Sequence, residues 1–403
     1  MNLSQTLHRL VDLTRRGTDH SDHLSKIDTT IVVSGTRGKS GLTRRLCDAL
    51  ASRENDVLGK ITGNHPKMIH NDEEHPIERE GRVTLYENET EIGKYDPVDA
   101  LVVENQAIGE YTTRLINQRF TDPDVVVLTN VRRDHIDRLG ANRMEIARSF
   151  ARAVPDGTHV VNGEQTEEIQ TFFEETFADR DVTLTHVEVP ERDETVPGAE
   201  TVHAVDHVLD AVDEPRLTDA KLQTYLDEMR VDWTRLASGR VFNAASVNDV
   251  DSTEMIRRAL CRQRGNVVQP FLYLRGDRRA RTTSFLNYLT ELYHDGAIEQ
   301  VRVAGETTEL FADRAPFPVV RHDGDEPADA LDAALGDGWP VLIMGNTVAE
   351  YMRALEADIE RREDAVVTPA ELDEFVVTND ADPDDIVAEQ RTDTEHTAIQ
   401  SDD

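Results

Sequence analysis

Along this chain, apolar runs of strand length alternate with stretches in which apolar residues recur every three or four positions. The first run is Ile31 to Val33. Beyond a glycine-bearing turn, Leu42, Leu46, Ala49 and Leu50 share one helical face. Further strands are predicted at Val57 to Ile61, Val98 to Val103, Asp124 to Thr129, His159 to Asn162 and Val182 to Val189. Val205, Val208, Leu209 and Val212, then Leu222, Leu226 and Met229, mark two packed helices. The alternation restarts at Val241. Strands at 241–245, 271–274, 300–304, 318–320 and 340–344 are separated by helices at 251–264, 282–294, 327–335 and 347–362 and by one shorter helix, with Asp251 as an N-cap and Glu254 at its capping-box position.

This pattern predicts two α/β units: a P-loop-type parallel-sheet ATPase domain at 31–236, then a smaller Rossmann-like domain at 237–363. Residues 1–30 carry Leu3, Leu7 and Leu10 at helical spacing, an N-terminal helix and linker. Residues 364–403 are acidic and poor in aromatics, the composition of a disordered tail. The charged segment 71–95 has the composition of a lid or a hairpin, and the pattern leaves both open.

Charge narrows the possible partners. Asp and Glu number 79 against 44 Lys and Arg, a net charge of −35, and Lys occurs only at 26, 39, 60, 67, 94 and 221. Such a field repels nucleic acid and anionic membrane surfaces. It also points to a salt-rich cytoplasm, where screening damps self-repulsion; equal thermal stability in dilute buffer and molar salt would count against that. Cys47 and Cys261 lie far apart on amphipathic helices and are expected to be packed free thiols in a reducing compartment. No apolar run exceeds strand length, so a cytoplasmic protein without a membrane span of its own is expected.

Candidate chemistry begins at Ser34-Gly35-Thr36-Arg37-Gly38-Lys39-Ser40. Gly35 and Gly38 let the backbone turn its N–H groups inward, Lys39 adds a mobile charge, Ser40 a hydroxyl for magnesium, and the helix its positive end. These make a polyphosphate cradle; the plainer reading is a strand-to-helix turn with a surface lysine. Two later strands stop at Glu104 and at Asn130, five residues before His135. In an open parallel sheet, ligands bind beyond the carboxyl ends of the strands. A carboxylate and an imidazole at that edge suit magnesium or its water shell; otherwise they are a helix cap and a satisfied histidine.

Together these blocks resemble the Mur ligases and folylpolyglutamate synthetases, and among them most closely the catalytic subunits of poly-γ-glutamate synthases. The resemblance rests on Ser34 to Ser40, on Val103-Glu104, and on Thr129-Asn130-Val131-Arg132-Arg133-Asp134-His135-Ile136-Asp137. Val241 to Thr253, Arg275-Gly276-Asp277-Arg278 and Met344 to Thr347 extend it over roughly residues 30 to 355. It implies an ATP-dependent amide ligase working through an acyl phosphate, with glutamate and poly-γ-glutamate as substrates and a small integral-membrane synthase subunit as partner at the inner face of the membrane.

The resemblance also implies residue roles. Gly35, Thr36, Arg37, Gly38, Lys39, Ser40 and Asn130 surround the nucleotide; Ser40, Glu104 and His135 hold magnesium or its water. Asp249 is a candidate for the ribose hydroxyls, or a helix-capping acid. Arg240, Arg275 and Arg278 are candidates for closing over phosphate or a substrate carboxylate.

The chain departs from the Mur pattern in two places. Where many Mur ligases carry a carbamylated lysine this chain has Phe150, with no Lys between Lys94 and Lys221. Fewer than thirty-five residues precede the phosphate loop, too few for the domain that binds a UDP-linked precursor. Two rivals remain: a ligase of the same superfamily acting on a folate-like coenzyme, which needs an aromatic slot that 5% aromatic content makes scarce, and an ATP-binding assembly subunit without ligase activity.

Overall fold

The computed structural model describes residues 17–366 except 64, 80–82, 108, 134–138, 141, 248, 262–266 and 346–348. The predicted leucine helix at 3–11 and the acidic tail fall outside the described residues. The chain divides into two compact units, Met1–Asp232 with Val247–Asn266, and Trp233–Ser246 with Val267–Asp403.

In the first unit, eight strands form one sheet: β1 (Thr29–Ser34), β2 (Val57–Ile61), β3 (Lys67–His70), β4 (Glu73–Pro76), β5 (Ala100–Glu104), β6 (Val125–Leu128), β7 (Thr158–Asn162) and β8 (Val182–His186). Their order is β4-β3-β2-β5-β1-β6-β7-β8. All pairs are parallel except β2 with β3 and β3 with β4. The segment left open in the sequence therefore starts as a hairpin that extends the sheet edge, and a helix at Tyr86–Ile92 follows it.

β1 is central because it is apolar on both faces: Ile31 and Val33 pack with Leu42, Leu46 and the helix Ala199–Ala211, while Val32 packs with Leu58, Leu101 and Ile92. β1 lies between β5 and β6. The carboxyl ends of these three strands set the edge on which the candidate residues stand. The helix Lys39–Ala51 begins where Gly38, at φ 82°, turns the chain out of the loop. The Phe150 side chain packs into the core cluster of Val126, Ile146 and Phe173.

In the second unit, β9 (Thr234–Leu236), β10 (Gly239–Asn243), β11 (Gln269–Leu274), β12 (Val301–Gly305), β13 (Val319–His322) and β14 (Val341–Met344) form a sheet ordered β13-β12-β11-β14-β10-β9. Only β9 runs antiparallel to its neighbour. Helices Pro327–Leu335 and Glu350–Val366 contribute Leu331, Leu335, Met352 and Leu355 to one face of the sheet, against Phe271 and Ile343.

The helix Val250–Cys261 groups with the first unit, although it follows β10 in sequence. Its expected cap is corrected. Asp249, not Asp251, accepts the Ser252 amide at 2.8 Å, the bond an N-cap makes. Asp251 lies inside the first turn, accepts the Arg133 amide at 3.0 Å, and is held below the usual carboxylate range by that bond and the Arg133 guanidinium, which outweigh its burial. Glu254 pairs with Arg257 and Arg258 instead of closing a capping box.

Candidate functional site

The glycine loop is tied to the end of β6 from behind. Gly35 has φ 110°, and a Cβ built on it would stand 2.3 Å from Thr129 Oγ1 and 2.7 Å from the Thr129 backbone nitrogen. Only glycine fits so close to that strand. Thr36 N donates to Asn130 O at 3.0 Å. Asn130 grips the loop with its own amide: Oδ1 accepts Arg37 N and Nδ2 donates to Arg37 O, both at 3.1 Å. Nδ2 also donates to Glu200 at 3.2 Å. Asn130 thus acts as the loop's brace, a role the sequence had merged with nucleotide contact.

Lys39 folds back on the loop, its Nζ donating to Gly35 O at 2.9 Å and Thr36 O at 3.1 Å. One residue on, Ser40 Oγ lies 3.0 Å from both oxygens of Glu104. Glu104 Oε2 also accepts the Thr62 amide at 2.8 Å, and the residue is only 6% exposed. This buried carboxylate has neutral donors and no ion-pair partner among the described residues. A carboxylate and a hydroxyl, both hard oxygen donors beside an anion cradle, fit magnesium, which takes few protein ligands and completes its shell with water and phosphate. No group of three His, Cys, Asp or Glu able to hold a metal occurs among the described residues, so the fit rests on this oxygen pair. His135, the third predicted ligand, lies outside the described residues.

Asp249 is more engaged than a free ribose acceptor: besides the cap bond, its Oδ2 accepts Ser252 Oγ at 2.7 Å and faces Arg37 Nε at 2.9 Å. Arg132 completes this side of the loop, bonding Glu200 at 2.8 Å and Ser252 Oγ at 2.7 Å. Glu200 was missed in the sequence because it is remote from every motif; its only local signal is the Gly198 turn opening its helix. In the second unit, Arg278 precedes the helix Arg279–His294 and faces Asp277 at 3.7 Å, while Arg275 pairs with Asp277 at 2.8 Å. Arg275, Arg278 and Arg281 line one small cavity beside Gly345. Arg240 sits at the start of β10, in register with Arg235.

Lys60 is the other residue the sequence did not single out. Set in β2 among core residues, it is fully buried, with Nζ 2.9 Å from Glu87 Oε1 and donating to Gln106 Oε1 at 2.9 Å. Burial pulls its ammonium below the ordinary lysine range, with Glu87 and Glu104 opposing.

This is the fold of the folylpolyglutamate synthases. The chain matches Escherichia coli FolC in complex with DHPP and ADP at TM-score 0.58 and 16% identity, over 88% of this chain and 93% of that one. The Yersinia pestis folylpolyglutamate synthase/dihydrofolate synthase complexed with AMPPNP and Mn ion matches at TM-score 0.56 and 15% identity, over 86% and 92%.

Sequence comparison is more specific. Residues 229–368 match the family model of the poly-gamma-glutamate synthase CapB C-terminal domain. The PGA synthase CapB of Bacillus subtilis (strain 168) is 26% identical over 334 residues, 77% of this chain and 82% of that one. The capsule biosynthesis protein CapB of Bacillus anthracis is 28% identical over 170 residues, 41% of this chain but only 36% of the relative's length. The chain is therefore similar in sequence to the CapB proteins and has the folylpolyglutamate synthase fold.

Proposed function

We propose that the chain is an ATP-dependent γ-glutamyl ligase that extends poly-γ-glutamate. The observation that carries this reading is the Ser40–Glu104 oxygen pair beside the glycine cradle, a site suited to a polyphosphate and a hard cation. The names of the CapB relatives support the polymer, and the fold supports the class of reaction.

A γ-carboxylate of the acceptor attacks the γ-phosphorus of ATP, the bond to the β-phosphate oxygen breaks, and ADP leaves. The amine of the incoming glutamate then attacks the acyl carbon, the C–N bond forms, inorganic phosphate leaves and the amine gives up a proton. A carboxylate is a poor electrophile, so the tasks are charge neutralisation and alignment. The Gly35 to Gly38 backbone cradles the phosphates. Lys39, released from its own loop carbonyls, neutralises the β- and γ-oxygens, and Ser40 and Glu104, with His135, would hold a magnesium ion. Magnesium would supply charge neutralisation of the polyphosphate when bound. Arg278 and Arg240 draw the anionic reactants in by bidentate bonds. An integral-membrane synthase subunit is the implied partner; among the described residues no helix is long and apolar enough to cross a membrane.

The test is ADP formation from ATP and magnesium in molar salt, with and without L-glutamate, D-glutamate and short γ-linked oligomers, the products read by mass. One residue added per ADP establishes the ligase and its acceptor. ATP turnover indifferent to every glutamate species, also after co-expression with the membrane subunit, overturns it.

A further inference from the structure

Among the described residues, the most buried charge of the first unit is not at the phosphate loop. Lys60 lies on β2 where the alternation calls for an apolar residue: its neighbours in pattern, Leu58 on the same strand and Val103 on β5, belong to the cluster with Val32, Leu101 and Ile92. Its Nζ enters a polar clasp beyond that cluster. Glu87 Oε1 lies 2.9 Å away, and Gln106 Oε1 accepts at 2.9 Å. Arg79 grips the same Glu87 with two bonds, at 2.7 and 2.8 Å, and donates to Gly63 O at 2.9 Å. Gln106 Nε2 closes the ring on Thr84 O at 2.9 Å.

Two bonds of the clasp, Arg79 to Gly63 O and Lys60 to Gln106, hold the turns that leave the sheet at the candidate site, and Glu87 links them. Gly63 follows Thr62, whose amide donates to Glu104, and Gln106 is two residues past Glu104. Glu104 itself faces the other side of the sheet, toward Ser40. The clasp and the proposed metal ligand therefore share their two turns, one from each face.

A buried ion pair is a poor device for stability, since apolar residues of similar volume serve as well or better, and what it can supply is a single geometry. We propose that Lys60 is a positioning residue: through Gln106, and through Glu87 and its partner Arg79, it fixes the turns after β5 and β2, so that the Thr62 amide holds the Glu104 carboxylate in place to receive a divalent cation. The metal half rests on the ligase reading above; the fixing of the turns does not.

The test uses the full chain in molar salt with three variants: Lys60→Met, Lys60→Arg, and Lys60→Met combined with Glu87→Gln, which removes both charges and leaves Arg79 an amide oxygen to bond. The first readout is hydrogen exchange at Thr62 and Glu104 to Ala107 in ligand-free protein; the second is Mn2+ affinity in the presence of ADP, by electron paramagnetic resonance. The double variant is expected to melt near the wild type, yet to exchange faster at those amides and to bind Mn2+ ten- to a hundredfold more weakly, the usual cost of losing a group that orients a ligand. Lys60→Arg is expected to recover part of both. A double variant with wild-type exchange and Mn2+ affinity would overturn the proposal, leaving Lys60 as packing. Fast exchange in the double variant, with a wild type that binds no Mn2+, would instead sink the metal assignment and leave the clasp.

Discussion

Ser40 Oγ stands 3.0 Å from both carboxylate oxygens of Glu104, joining the first turn of a helix to the end of a strand 64 residues later. The hydroxyl and the carboxylate are hard oxygen donors held side by side, the pairing a magnesium ion would join. Glu104→Gln keeps the shape and the acceptor for the Thr62 amide but halves the oxygen set and removes the charge. The magnesium concentration for half-maximal nucleotide binding should rise about tenfold or more, while the melting temperature changes little. Unchanged metal dependence with a lowered melting temperature would make Glu104 a structural residue.

Lys39 presents the opposite case, a charge whose visible bonds run to its own loop, at Gly35 O and Thr36 O. Lys39 adds no apolar contact to the core beneath the loop, so the fold is expected to survive its removal. In Lys39→Ala, ATP turnover should fall on the order of 10²- to 10³-fold with the circular-dichroism melt preserved. Near-normal turnover would end the phosphate-loop assignment.

Gly35 and Gly157 separate backbone strain from collision. Both have positive φ, 110° and 81°, but a Cβ on Gly157 meets nothing within 4 Å, whereas on Gly35 it strikes Thr129. Gly157→Ala should cost only the left-handed conformation, about 1–2 kcal/mol by urea denaturation. Gly35→Ala should cost more than that, and should abolish nucleotide binding even where it still folds. Equal costs would mean that the loop can withdraw from β6.

The strand-and-helix grammar of this chain was legible because its strands are nearly uniform apolar runs, as parallel strands buried on both faces must be. Val57–Ile61 and Pro327–Leu335 have the bounds their pattern predicts. The Ser40–Glu104 pairing was legible too, since both are strand-end or loop-end residues of one parallel sheet. What periodicity could not supply was the partner of each polar group. Periodicity marks Lys60 only as a strand residue, because Glu87 and Gln106 reach it from elements 27 and 46 residues away. Asp249 and Asp251 are both acids near a helix start, and only the backbone frame decides that the first accepts the Ser252 amide. Glu200 belongs to no motif, and it reaches Arg132 only because its helix packs back against the sheet.

Cys47 gives a pH-dependent prediction whose sign is fixed by its surroundings. The thiol is wholly buried, packed so closely on β2 that a Cβ on Gly59 would lie 2.4 Å from its sulfur, and burial pushes its pKa from 9.0 up to about 12. The unfolded chain therefore loses this proton first. Its contribution to stability is fully present below pH 9 and is lost as the pH climbs toward 12, at about 1.4 kcal/mol per pH unit. Urea midpoints of the wild type and Cys47→Ala, compared at pH 8, 10 and 11, isolate the effect because other groups titrate alike in both. The wild type should lose ground to the variant as the pH rises, and the native thiol should resist disulfide reagents at pH 8 until urea exposes it. Parallel midpoints, or a fast native reaction, would mean that water reaches the space between the helix Lys39–Ala51 and β2.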